Sequence, residues 1–108
     1  MKVMQRGIMK IMPGKTAEAM ELLGKHMAVV SRLVGMPREK LPMRTYRPFL
    51  GGGDSLHTIV FEVEWNSFGE MSAFFEKMFA DSEMQAQMPK WEALEQSHEV
   101  ELYMVMPT

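Results

Sequence analysis

The side chains best suited to chemistry lie on either side of a glycine-rich stretch, Gly51-Gly52-Gly53-Asp54. His57 follows it, and Arg44, Tyr46 and Arg47 precede it. A histidine titrates near neutrality and can take a proton from an activated phenol or carbon acid. An arginine beside it can hold a carboxylate or an enolate oxygen. His57, Tyr46 and Arg47 are therefore the candidate catalytic residues. Each also has a plainer reading. A strand-end histidine bonds to backbone or water, and an edge-strand arginine discourages pairing with other chains. Trp65 can stack on a planar ligand or simply pack among aliphatic side chains. Arg6, next to Gly7, either points into a cavity or pairs with Glu62 or Glu64 across a sheet.

Other chemistries find less support. The chain has no cysteine, which removes disulfides, thiolate nucleophiles and cysteine-held metals. Its 3 histidines, His26, His57 and His98, share no short ligand spacing, so no metal site is expected. No serine sits in a Gly-x-Ser-x-Gly elbow. The stretch Pro13-Gly14-Lys15-Thr16 resembles a phosphate loop, but that motif needs glycine where Met9 stands. The net charge of -2 comes without a basic run, so no nucleic-acid partner is expected. The 14 methionines fit an adaptable core. They also allow a deformable pocket for a bulky apolar ligand, or soft copper(I) ligation by Met9 with Met12 or Met104 with Met106.

The elements that position these residues follow from pattern. The 108 residues suffice for one domain, 1–108. Val3 to Met12 reads as a strand with apolar residues on both faces. Pro13-Gly14 breaks it, and Thr16 is placed to cap a helix over Ala17 to Val34. Met20, Leu23, Met27, Val30 and Val34 form the apolar stripe of that helix, and His26 falls at its margin. Gly35 and Pro37 end it. Leu41 to Leu50 reads as a strand whose Pro42 and Pro48 confine it to a sheet edge. Leu56 to Trp65 alternates cleanly: His57, Ile59, Phe61, Val63 and Trp65 share one face, Thr58, Val60, Glu62 and Glu64 the other. The glycines join these two strands rather than a strand and a helix, so they read as a hairpin turn and not as a phosphate cradle. The turn leaves the register open. Either Arg44 with Tyr46 or Thr45 with Arg47 shares the His57 face.

Ser67 and Glu70 form a capping box before a helix that buries Met71, Phe74, Phe75, Met78 and Phe79. A shorter helix restarts at Asp81 or Ser82, with Pro89 expected to kink it or begin a new turn. Val100 to Met106 is the last strand. The order is that of the α+β ferredoxin-like unit, βαββαβ, with an antiparallel sheet of order 4-1-3-2 and the helices on one face. The other face, with Val60, Thr58 and the second apolar parity of strand one, needs cover. Pairing with the sheet of a second copy supplies it.

Two stretches, "IMPGKTAEAMELL" and "HTIVFEVEWNSFGEMSAFFEKMFADSEMQAQMPKW", resemble the dimeric α/β-barrel superfamily. The resemblance spans nearly the whole chain. It is nearest to NIPSNAP-like members and looser to antibiotic-biosynthesis-monooxygenase-like members. It implies a homodimer whose sheets form a shared barrel, with a cavity between sheet and helices in each subunit. In monooxygenase-like relatives that cavity takes polyaromatic substrates and oxygenates them without metal or flavin. Trp65 matches the tryptophan that ends their third strand. Many of those relatives carry a histidine in the next helix, where this chain has Phe74 and Phe75. Haem-degrading relatives use an Asn–Trp–His set, and this chain offers no clear Asn or His for it.

Two classes of function follow. One is a small dimeric enzyme, monooxygenase- or isomerase-like and without cofactor, acting on an apolar or aromatic small molecule. His57, Tyr46 and Arg47 would do its chemistry, and Trp65, Arg44, Arg6, Phe61, Phe74 and Met78 would hold its ligand. The other is a non-catalytic dimer that binds a small ligand or a partner. Polar residues interrupt Met1 to Lys10 and no apolar segment spans a bilayer, so the expected setting is the cytoplasm, without signal peptide or membrane partner.

Overall fold

The computed structural model describes residues 1–52 and 56–107. Its elements are β1 (Val3–Ile11), α1 (Thr16–Val34), β2 (Met43–Tyr46), β3 (Thr58–Trp65), α2 (Phe68–Ala80), α3 (Ser82–Leu94) and β4 (Glu95–Met104), with a 3₁₀ turn at Arg38–Lys40. The strands form a 4-stranded antiparallel sheet of order β2-β3-β1-β4. This is the expected ferredoxin-like α+β arrangement, with β2 at an edge. Pro42 and Pro48 bracket β2, whose pairing covers Met43 to Tyr46 rather than Leu41 to Leu50. Proline has no N–H to give to a ladder, so the strand stops between them. The turn expected at Gly51-Gly52-Gly53-Asp54 lies partly outside the described residues.

Alternation along β1 separates two environments. Val3, Gln5, Gly7, Met9 and Ile11 are buried, whereas the residues between them are half-buried. Met9, Ile11 and Ile59 pack against Leu22, Leu23, Met27, Val29 and Val30 of α1, together with Met84 and Leu94 of α3. The stripe of α1 is rotated from the expected one. Ala19, Leu22 and Val29 are buried, while Met20 and Val34 are 38% and 39% exposed. Helix α1 packs on α3 and α2 as well as on the sheet, so its buried arc answers to more than one neighbour.

Helix ends are set locally. Thr16 is the first helical residue rather than the cap; Lys15 takes the cap position without a side-chain bond and pairs with Glu18 at 3.3 Å. Gly35 ends α1 in the left-handed region, φ 74°, where glycine has no Cβ to clash. The capping box of α2 forms. Ser67 Oγ accepts from the Glu70 N–H at 3.0 Å, and the Glu70 carboxylate accepts from the Asn66 N–H at 2.7 Å. Asp81 caps α3 through the Met84 N–H at 3.0 Å and also receives Arg32 of α1 at 2.8 Å. Helix α3 runs through Pro89 without a break and passes directly into β4, so the last strand begins at Glu95, ahead of the expected Val100. No helix among the described residues is long and apolar enough to cross a membrane.

Candidate functional site

Between the sheet and the helices lies a cavity of about 500 Å³. Its floor comes from β1 and β3, with Gln5, Phe61, Val63 and Trp65, and its walls from α1 and α2. Trp65, at the end of β3, meets Phe74 and Phe75 of α2 with ring centroids 5.4 and 6.1 Å apart. Phe74 is tilted 39° to the indole and Phe75 meets it edge-on at 60°, so the three rings form a faceted aromatic wall. The Trp65 indole N–H donates to Gln5 Oε1 at 3.1 Å, which fixes the plane of that ring. Opposite lie Val30, Leu33 and Val34 of α1, and Met36 and Leu41 beyond it.

A second chamber of about 290 Å³ adjoins it. His26, Met43, Phe61 and Met78 line both. The second chamber is soft: Met9, Met84 and Met88 face it, with Trp91 of α3. Its polar rim carries Glu92, Glu95 and His98, the last two 3.6 Å apart. Burial pushes the Glu95 carboxyl up, against the pull of His98. Phe61 owes its position to Gly7, its partner across the β1–β3 ladder. A Cβ on Gly7 would come within 2.0 Å of the Phe61 ring. The glycine thus lets the ring lie flat over β1, where its edge meets His98 at 5.9 Å.

His26 is the polar group that the sequence pattern undervalued. It lies in α1 between Leu23 and Val30, at spacings of three and four, and the rotated stripe carries it inward. Its Nδ1 is buried and has no hydrogen-bond partner among the described residues. Burial holds the imidazole below its usual 6.5, so the ring is neutral at physiological pH. The edge of Trp91 packs on it, centroids 6.3 Å apart and planes at 88°.

Trp65, Phe61, Phe74 and Met78 line the first cavity. The structure does not bring the other expected residues to it. Register settles the choice left open by the turn: Arg44 pairs with Glu62, Thr45 with Phe61 and Tyr46 with Val60. Arg44 and Tyr46 therefore lie on the open face, away from the helices. Arg47 is exposed beyond the end of β2. Arg6 also faces the open side, where it donates twice to Glu62 at 3.0 and 2.7 Å and lies 5.8 Å from the Tyr103 ring. Tyr46 donates to the same carboxylate at 3.1 Å. The Arg6 hydrogen bonds hold the Glu62 carboxyl below its ordinary range. His57 precedes β3 and is not among the residues lining either cavity. A strand rising about 3.3 Å per residue separates it from Trp65 by roughly 25 Å. The two share a strand parity but not a site of small-molecule size. Among the described residues no group of three or more His, Asp or Glu side chains is placed to hold a metal ion.

No protein-family model matches the sequence, and no curated protein matches it. Solved structures do. A NIPSNAP family protein from Agrobacterium tumefaciens str. C58 is similar over 100% of this chain and 94% of its own, at 19% identity and a TM-score of 0.80. An uncharacterized NIPSNAP domain protein from Burkholderia xenovorans is similar over 98% of this chain and 95% of its own, at 18% identity and a TM-score of 0.73. SnoaB, a cofactor-independent oxygenase from Streptomyces nogalater, is similar over 99% of this chain and 95% of its own, at 18% identity and a TM-score of 0.66. These likenesses show that the chain has the fold of NIPSNAP family proteins and of SnoaB.

Proposed function

We propose that the chain binds a planar apolar or aromatic small molecule in the cavity between sheet and helices. One observation carries this reading: a cavity of about 500 Å³ walled by Trp65, Phe74 and Phe75, with only a few polar groups at its margins. Cavities of roughly 300–1,000 Å³ with mostly apolar walls are the usual form of small-molecule sites. The working unit is a homodimer whose open sheet faces pair. Met4, Ile8 and Val60, each half-buried on that face, are the apolar residues a second sheet would cover. A cytoplasmic setting belongs to the same proposal and agrees with the absence of cysteine.

A second reading is catalytic. SnoaB, which has the same fold, is a cofactor-independent oxygenase. In this chain the imidazole of His26 is a group beside the cavity that can accept a proton, as are the carboxylates of Glu64 and Glu70. His57, Tyr46 and Arg47 would serve only a separate site at the other end of β3. The test is a crystal structure of the protein as purified, without added ligand, followed by oxygen uptake with the molecule found. Planar density against Trp65 supports the binding reading, and uptake that stops in His26→Leu supports catalysis. A site that excludes planar molecules even on soaking contradicts both.

A further inference from the structure

The two chambers share one wall, and His26 is the side chain in that wall with hydrogen-bonding capacity to spare. Several of the other polar groups that line the first chamber are partly committed. Gln5 Oε1 accepts from Trp65, and the Glu70 carboxylate accepts from the start of α2. In the second chamber Glu95 and His98 face each other. His26 Nδ1 remains buried without a partner among the described residues, although it belongs to the longest helix, whose 19 residues hold it rigidly. Of the four side chains that line both chambers, only His26 can hydrogen-bond, so a ligand spanning them meets its imidazole at the junction. The chambers also differ in kind. Trp65, Phe74 and Phe75 line only the first, and Met9, Met84 and Met88, whose thioethers adapt to irregular shapes, line only the second.

We propose that both chambers form one binding site for a two-part ligand, and that His26 is the anchor at their junction. The ligand has a planar ring for the aromatic chamber, an aliphatic arm for the methionine chamber, and a hydroxyl between them that hydrogen-bonds the His26 imidazole. A hydroxyl fits because it both donates and accepts, and so satisfies either tautomer of a neutral imidazole. A carboxylate or ammonium group at that point would be stripped of water without an opposing charge. The proposal rests on the reading of the first cavity as a small-molecule site, and it adds which residue selects and where the ligand continues.

The experiment compares 1-phenyl-1-pentanol with pentylbenzene, which lacks only the hydroxyl. Affinity is measured by calorimetry, and the methionine methyl resonances are followed in parallel. The expected result is binding about tenfold tighter for the alcohol, the net worth of one hydrogen bond. The His26 ring-nitrogen resonances should shift on addition of the alcohol, and the methyls of Met84 and Met88 in the second chamber should move with that of Met36 in the first. In His26→Leu the two probes should bind alike. Equal affinities in the unsubstituted protein overturn the anchor, as does a preference that survives His26→Leu. Methyl shifts confined to the first chamber overturn the two-part site. If neither probe binds, the cavity reading itself fails, and this proposal with it. The nitrogen resonance is read on the unsubstituted protein, so a poorly folded variant does not blunt the test.

Discussion

On the helix-covered face of the sheet, Met9, Ile11 and Ile59 are 4%, 0% and 1% exposed and pack into one apolar cluster with α1 and α3. On the other face, side chains of the opposite parity make a polar net: Arg6 and Tyr46 converge on Glu62, and Lys2, just before β1, reaches Glu64 at 3.4 Å. The backbone ladder is common to both faces, so the contrast lies in side-chain parity alone. The covered face encloses a cavity suited to an apolar ligand. The open face is mixed, with Met4, Ile8 and Val60 between charges, the composition of a surface suited to a partner.

The contrast predicts unequal costs for neighbouring substitutions. Ile59→Ala should lose about 2–5 kcal/mol in urea unfolding, because it removes a fully buried side chain and leaves a cavity. Val60→Ala should lose clearly less at low protein concentration. A loss at Val60 that grows with concentration would sharpen the comparison by showing the open face covered in a dimer. Equal losses at low concentration would break it. Next in size is Gly7→Ala, which should cost about 1–3 kcal/mol because its Cβ displaces the Phe61 ring. The double variant with Phe61→Leu should recover part of that loss, a non-additivity expected of touching residues.

The histidine of the covered face gives a smaller, pH-dependent effect. Burial lowers the His26 pKa from 6.5, so the unfolded chain takes up a proton at a pH where the folded chain does not. Stability should therefore fall as pH drops below about 6.5 and stay level above it. In His26→Leu, the difference in unfolding midpoint between pH 7.5 and pH 5.5 should shrink. A difference that does not shrink would show the ring to be solvated. The smallest effect belongs to the open face. Arg6→Ala should change stability little, since exposed ion pairs contribute little. It should nonetheless raise the Glu62 carboxyl titration, read by carbon NMR, toward the ordinary carboxylate range. Stability tied to Glu62 is present at neutral pH and is lost only as pH falls through its lowered pKa.

Much of this architecture was legible in the residues. The alternation of β3 separated its faces, Pro42 and Pro48 put β2 at an edge, and Ser67 with Glu70 marked the start of α2. The site was less legible, for three physical reasons. Parity says which face a side chain takes but not how far along the strand it lies, so His57 and Trp65 were grouped although they sit at opposite ends of β3. Register depends on a turn whose geometry is not written in alternation, so the inward choice among Arg44, Tyr46 and Arg47 stayed open until the ladder showed Thr45 opposite Phe61. The burial stripe of α1 depends on α3 as well as the sheet, which hid His26. Its one available signal was its spacing of three and four from Leu23 and Val30.

The central claim, an aromatic-binding cavity on the covered face, can be tested with the methionines themselves. The protein would be labelled with carbon-13 at the methionine methyls and titrated with naphthalene. The account predicts ring-current shifts at Met36, Met43 and Met78, which line the main cavity, and none at Met4 on the open face. Shifts at Met4 that match or exceed those at Met43 and Met78, or no saturable shift anywhere, would contradict it.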